Sequence, residues 1–138
     1  MQLMIRVLVV LAAIALAIPS SHAQTLTGAQ AQKSPQADAF LAYEKSLLAG
    51  GLDAAQPYMT AAKLDELNGM LKTWGEDGFR QFLDRMRGGA KGEARRKQIE
   101  KVEVTGGYAV LEARDSPQVV TVQHLTKTNE GWKVDVRR

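Results

Sequence analysis

The sequence predicts an α+β protein in which helices come first and pack on one face of a curved, four-stranded antiparallel sheet. Three observations carry this. Apolar residues recur at helical spacing between Ser34 and Gly89. Past Lys97 the period drops from 3.6 to 2. Glycine pairs at Gly50-Gly51, Gly88-Gly89 and Gly106-Gly107 stand where each pattern stops or turns.

Before the first helix, Arg6 precedes an unbroken apolar run from Val7 to Ile18. Pro19-Ser20-Ser21-His22-Ala23 comes next, with small Ser21 and Ala23 in the positions a signal peptidase reads. Residues 1–23 are therefore expected to be a secretory signal peptide, too short to be a stable membrane span. A retained anchor is the alternative, disfavoured because no second charged flank stands after the run. Cleavage after Ala23 would start the mature chain at Gln24 and place it in the periplasm or outside the cell. With no cysteine anywhere, a lipoprotein anchor, thiol catalysis, iron–sulfur clusters and thiolate zinc sites are excluded. Losing Arg6 takes the 18 basic residues to 17 against 15 acidic ones, a mature net charge of +2 that does not point to nucleic acid. The length fits one domain, large enough to bury a core without disulfides.

Gln24 to Lys33, rich in Gln, Thr and Ala, has no apolar periodicity and is expected to be a flexible lead-in. Ser34-Pro35 reads as an N-cap with proline at the first helical position. Ala37, Phe40, Leu41, Leu47 and Leu48 then mark a helix that Gly50-Gly51 ends. Asp53 to Gln56 has the capping-box pattern of a short second helix. Thr60 caps a third, with the stripe Leu64, Leu67, Leu71 and Trp74. After Gly75, Phe79, Phe82, Leu83 and Met86 mark a fourth, stopped by Gly88-Gly89. Val102 and Val104 alternate with charges, and Gly106-Gly107 suits a two-residue turn that pairs Val104 with Ala109 and Val102 with Leu111. Asp115 to Gln118 breaks the sheet, and Val119 to Val136 supplies the closing hairpin.

A helix, then "LLAGGLDAAQPYM", further helices and a meander closing on "VTVQHLTKTNEGWKVDV" resembles the cone fold of the nuclear-transport-factor-like superfamily. That superfamily includes the ketosteroid-isomerase-like and SnoaL-like proteins. The resemblance spans about residues 34–138 and implies a cone with a possible pocket between helices and sheet. The isomerases' catalytic aspartate and tyrosine have no matching positions here, so no catalytic residue is carried over.

The closing hairpin decides where His124 points. A three-residue loop, Asn129-Glu130-Gly131, pairs His124 with Val136 and puts Val120, Val122, His124, Trp132 and Val134 on one inward face. A loop of two or four residues turns Leu125 inward instead. The three-residue register buries more apolar surface and is the expected one. His124 is then a core residue with satisfied nitrogens, or a ligand-contacting or proton-transferring group. Glu44 lies mid-stripe on the first helix, so it is either a buried general acid or a carboxylate that pairs with a lysine or arginine. If the two meet, they titrate as a pair. Tyr43, Tyr58, Trp74, His124 and Trp132 are the candidate lining of a ligand pocket.

Eight basic residues crowd Arg80 to Lys101 against three acids. Arg87, Lys91, Arg95, Arg96 and Lys97 are the candidate contacts for a protein partner or an anionic envelope component, the alternative being a mobile solvated loop. Aromatic residues are not interleaved with these charges, so nucleic acid is not expected. No metal or cofactor is expected, since His124 is the one histidine expected to remain after cleavage and there is no thiolate. The favoured function is a non-enzymatic exported binding module, engaging a small apolar ligand or a partner protein, as an inhibitor or immunity-type protein would. The alternative is a small isomerase, dehydratase or hydrolase built on Glu44 and His124.

Overall fold

The computed structural model describes residues 23–138, so Val7 to Ile18 and Ser21-His22 of the expected signal peptide lie outside the described residues. The chain is α+β: strand β1 (Gln24–Thr27), helices α1 (Gly28–Gln32), α2 (Pro35–Ala55) and α3 (Ala61–Gly89), then strands β2 (Ile99–Thr105), β3 (Tyr108–Ser116), β4 (Val119–Thr128) and β5 (Gly131–Asp135). A short 3-10 turn at Gln56–Tyr58 links α2 to α3, and another at Gly92–Gln98 links α3 to β2.

Local signals set the helix ends. The Ser34 hydroxyl accepts from the Ala37 N–H, with Pro35 at the first helical position, and the Thr60 hydroxyl accepts from the Lys63 N–H. Gly75 interrupts α3 at φ 74° and ψ 176°, a positive-φ conformation that glycine adopts without steric penalty, so α3 is two helices meeting at a kink. Gly51 interrupts α2 in the same way.

The sheet is antiparallel throughout, in the order β1-β2-β3-β4-β5. It has five strands where four were expected, and the lead-in is the reason. Leu26 pairs with Val102 on the core face, and the Ala31 side chain of α1 is fully buried. The Gln32 side-chain amide donates to the carbonyls of Lys97 and Ile99. A segment without apolar periodicity is thus ordered by pairing with a strand some 75 residues further on. The Gly106-Gly107 hairpin forms as expected, Val104 opposite Ala109 and Val102 opposite Leu111.

Phe40 and Leu47 of α2 and Leu67 of α3 pack with Ile99, Val102, Leu111, Leu125 and Val134 of the sheet, all essentially without exposure. These side chains occupy the interior between helices and sheet where a pocket was expected. Ladder irregularities at Glu100 and Asp115 change the register of β2 and β3 at the same end of the sheet.

Candidate functional site

Glu44 sits on the buried stripe of α2 with Ala37, Phe40 and Leu47, as its spacing predicts. Its partner comes from the 3-10 turn at Gly92–Gln98. Arg95 donates from Nε to Glu44 Oε1 at 2.7 Å and from Nη2 to Oε2 at 2.9 Å, a two-pronged pair in which both residues are 4% exposed. Arg95 Nη1 donates to Asp115 Oδ1 at 2.6 Å, and the Thr121 hydroxyl donates to Asp115 Oδ2 at 2.6 Å. The guanidinium also lies over the Phe40 ring, 5.4 Å from its centroid. Burial pulls the Arg95 pKa down, but the bonds to Glu44 and Asp115 outweigh it, and the net shift is upward. Arg95 is a fixed cation that clamps α2, the 3-10 turn and β3 together. Gly89 is required beside this clamp, since a Cβ there would stand 2.8 Å from the Asp115 carboxylate.

The register of the closing hairpin differs from expectation. Thr128 pairs with Gly131 across a two-residue turn, Leu125 pairs with Val134, and His124 pairs with Asp135. Gly131 does take a positive φ of 102°, but within the ladder, where the Thr128 hydroxyl donates to its carbonyl. Leu125 therefore faces the core, while Val120 and Val122 face outward, Val122 at 50% exposure. The physical reason lies at the clamp. The inward residues of β4 read Thr121, Gln123 and Leu125, polar where the strand meets Asp115 and apolar only beyond it. Pattern-matching to maximal apolar burial picks the wrong face because the core contains an ion pair at that end.

His124 thus lies on the outer face of the sheet, opposite the face on which α2 carries Glu44. The Tyr108 hydroxyl and His124 Nδ1 share a hydrogen bond, with the two rings stacked 5.8 Å apart. Burial lowers the His124 pKa, and Arg137 and Lys63 lower it further against the opposing pull of Asp135 and Glu66. The expected Glu44–His124 pair does not form.

The candidate pocket residues do not converge. Tyr43 is buried in the core, where burial, Glu66 and Glu44 push its phenol pKa up. Tyr58 is exposed on the turn before α3, and Trp74 is 48% exposed at the α3 kink, 6.0 Å from the Phe82 ring. Trp132 packs half-buried at the core's edge.

The basic segment makes specific contacts with the helices. Arg96 donates to the Gln32 carbonyl and to Asp38, both at 2.7 Å. Arg87 donates to Asp84 at 2.7 Å and to the Leu48 carbonyl at 2.6 Å, tying the end of α3 to α2. Lys91 Nζ donates to the Gly88 carbonyl. Lys97 is exposed and makes no ion pair among the described residues. Of the five candidates, Arg95 is buried and spent, while the other four remain at the surface.

One concavity brings Glu44 together with Arg87 and Arg95 of the basic segment, and none of the five candidate pocket residues lines it. A groove of about 670 Å³ runs between α2 and the end of α3 with the adjoining 3-10 turn. Leu41, Leu48, Ala49 and Ala90 give it an apolar lining, Glu44 and Arg95 lie in its wall, and Lys45, Arg87 and Glu93 stand along it. Its volume is in the range of small-molecule sites, roughly 300–1,000 Å³.

A second polar cluster had no local signal. Asp135 accepts from the hydroxyls of Thr60 and Thr126, at 2.7 and 2.6 Å, and from the Val136 N–H. Burial pushes its pKa up, but Thr126, Thr60, Val136 and Arg138 together hold it below its ordinary value. The cluster fastens the start of α3 to β5, where the Thr60 N–H also donates to the Val134 carbonyl. Among the described residues, no helix is long and apolar enough to cross a membrane, and no group of three or more His, Asp or Glu is placed to hold a metal ion.

Comparison of the chain with protein-family models, with curated proteins and with solved structures gave no match.

Proposed function

We propose that the chain is an exported, non-enzymatic binding module, with helices over a curved sheet in the manner of the cone-fold superfamily, and that it binds through the α2–α3 groove. Export rests on the apolar run Val7 to Ile18 and the Ser21-His22-Ala23 site, and makes the working compartment the periplasm or the exterior. Binding rather than catalysis rests on how the candidate catalytic groups are used. Glu44 is neutralised by Arg95, and His124 is bonded to Tyr108 on the other face. Neither is left as a free acid or base facing a shared cavity.

The observation that carries the reading is the groove itself. It joins an apolar lining to cations, and its polar wall is already internally satisfied. Such a surface binds by shape, apolar burial and charge, without performing bond chemistry.

Thermal unfolding of the purified protein with fractionated envelope extract tests this. A ligand at a hundred times its Kd stabilises the folded state by about 2.7 kcal/mol, which a melt resolves. At least one fraction should raise the Tm of the wild type and not of Ala49→Glu, which sets a carboxylate in the groove from an exposed position. If no fraction raises the wild-type Tm, or Ala49→Glu responds equally, the groove is not the binding site.

A further inference from the structure

We infer that the groove takes a single acyl chain with a carboxylate head, a fatty-acid-like amphiphile, with the head held between Lys45 and Arg87. This names the ligand class for the binding module proposed above and rests on that reading.

The polar groups along the groove decide against a peptide. Glu44 spends both carboxylate oxygens on Arg95, and Arg95 spends its remaining reach on Asp115 and Gln98. Arg87 fills the Leu48 carbonyl. A peptide laid in the groove would bring backbone N–H and C=O groups out of water and find few partners there. An acyl chain has no such groups to satisfy, and Leu41, Leu48, Ala49 and Ala90 offer it apolar contact. Along α2, the lining from Leu41 to Ala49 spans about 12 Å at the helical rise.

Charge decides the head. Lys45 is exposed, lines the groove and makes no ion pair among the described residues. It lies three residues before Leu48, hence on the neighbouring turn of the same helix face. Arg87 lines the same groove, its guanidinium 2.6 Å from the Leu48 carbonyl. Asp84 shares Arg87, and Glu93 is the acid lining the groove from the 3-10 turn. A carboxylate beside Lys45 and Arg87 gains two cations while its chain stays on the leucines.

Calorimetric titration of the mature protein with octanoate, decanoate and dodecanoate, each below its micelle concentration, tests this directly. Affinity should rise about two- to fourfold per methylene, the upper figure being full burial of each CH₂. Lys45→Glu should weaken decanoate about three- to tenfold, as an exposed charge reversal does, and leave the neutral analogue decanol unchanged. Val122→Thr, on the outer face of the sheet, should change neither. Equal loss of decanol and decanoate in Lys45→Glu, or no dependence on chain length, overturns the assignment. If decanoate does not bind while an envelope fraction still stabilises the wild type and not Ala49→Glu, the ligand class is wrong and the binding module stands. If neither binds, both fall.

Discussion

Replacing Arg95 with methionine keeps an unbranched apolar stem and removes the charged head, and it exposes what the clamp contributes. The guanidinium is 4% exposed and makes three short bonds to two carboxylates, 2.7 and 2.9 Å to Glu44 and 2.6 Å to Asp115. Without it, Asp115 keeps the Thr121 hydroxyl, but Glu44 is left as a buried charge with no cation. Removing one partner of a buried pair costs about 3–5 kcal/mol, mostly because of the charge left behind. With a urea slope of about 1.5 kcal/mol/M for a domain of this size, the unfolding midpoint should fall by roughly 2–3 M. Converting both partners, Glu44→Leu with Arg95→Met, removes the orphan and should recover much of the loss, so the double-mutant coupling should be large and favourable. Urea unfolding monitored by circular dichroism measures all four proteins. An Arg95→Met midpoint within about 0.5 M of wild type, or a double variant that merely sums the two single losses, would refute the clamp.

The register predicts that Leu125→Ala loses about 2–5 kcal/mol while Val122→Ala stays within about 0.5 kcal/mol, again by urea unfolding, and the reverse order would restore the three-residue turn. Asp135 has a folded pKa held below 3.8, so its contribution is fully present above that value and is lost as pH falls through the folded pKa. Asp135→Asn should therefore be less stable than wild type near neutrality and close part of that gap in acid-unfolding curves below pH 3.8. His124 has a folded pKa below its ordinary 6.5, so protonation favours the unfolded chain and stability should decline as pH drops through 6.5. NMR titration of the imidazole should give a midpoint under 6.5 that Glu44→Gln does not move, and a shift in that variant would contradict the placement of the two residues on opposite faces of the sheet.

Features set by a few neighbouring residues were legible from the sequence. Ser34-Pro35, Thr60, Gly75 and Gly106-Gly107 each carry their conformational reason locally, and each marks the boundary it predicts. The buried position of Glu44 was legible too, because helical spacing alone puts it among Ala37, Phe40 and Leu47. Its partner was not, since Arg95 lies 51 residues away in a segment that reads as a solvated loop. The same long-range clamp misdirects the reading of β4. Thr121 looks like a surface residue until Asp115 is placed beside it, and Gln123 until it is paired with buried Leu111. Strand β1 was missed for a related reason: Gln24–Thr27 has only Leu26 to mark an inner face, and its order comes from β2.

The proposed role of the α2–α3 groove is tested most directly by recording backbone amide shifts while decanoate is titrated into the purified protein. The account predicts saturable changes centred on Leu41, Lys45, Leu48, Arg87 and Ala90, the lining of the groove. Changes centred instead on Val120, Val122 and His124, on the outer face of the sheet, or no saturable change at all, would contradict it.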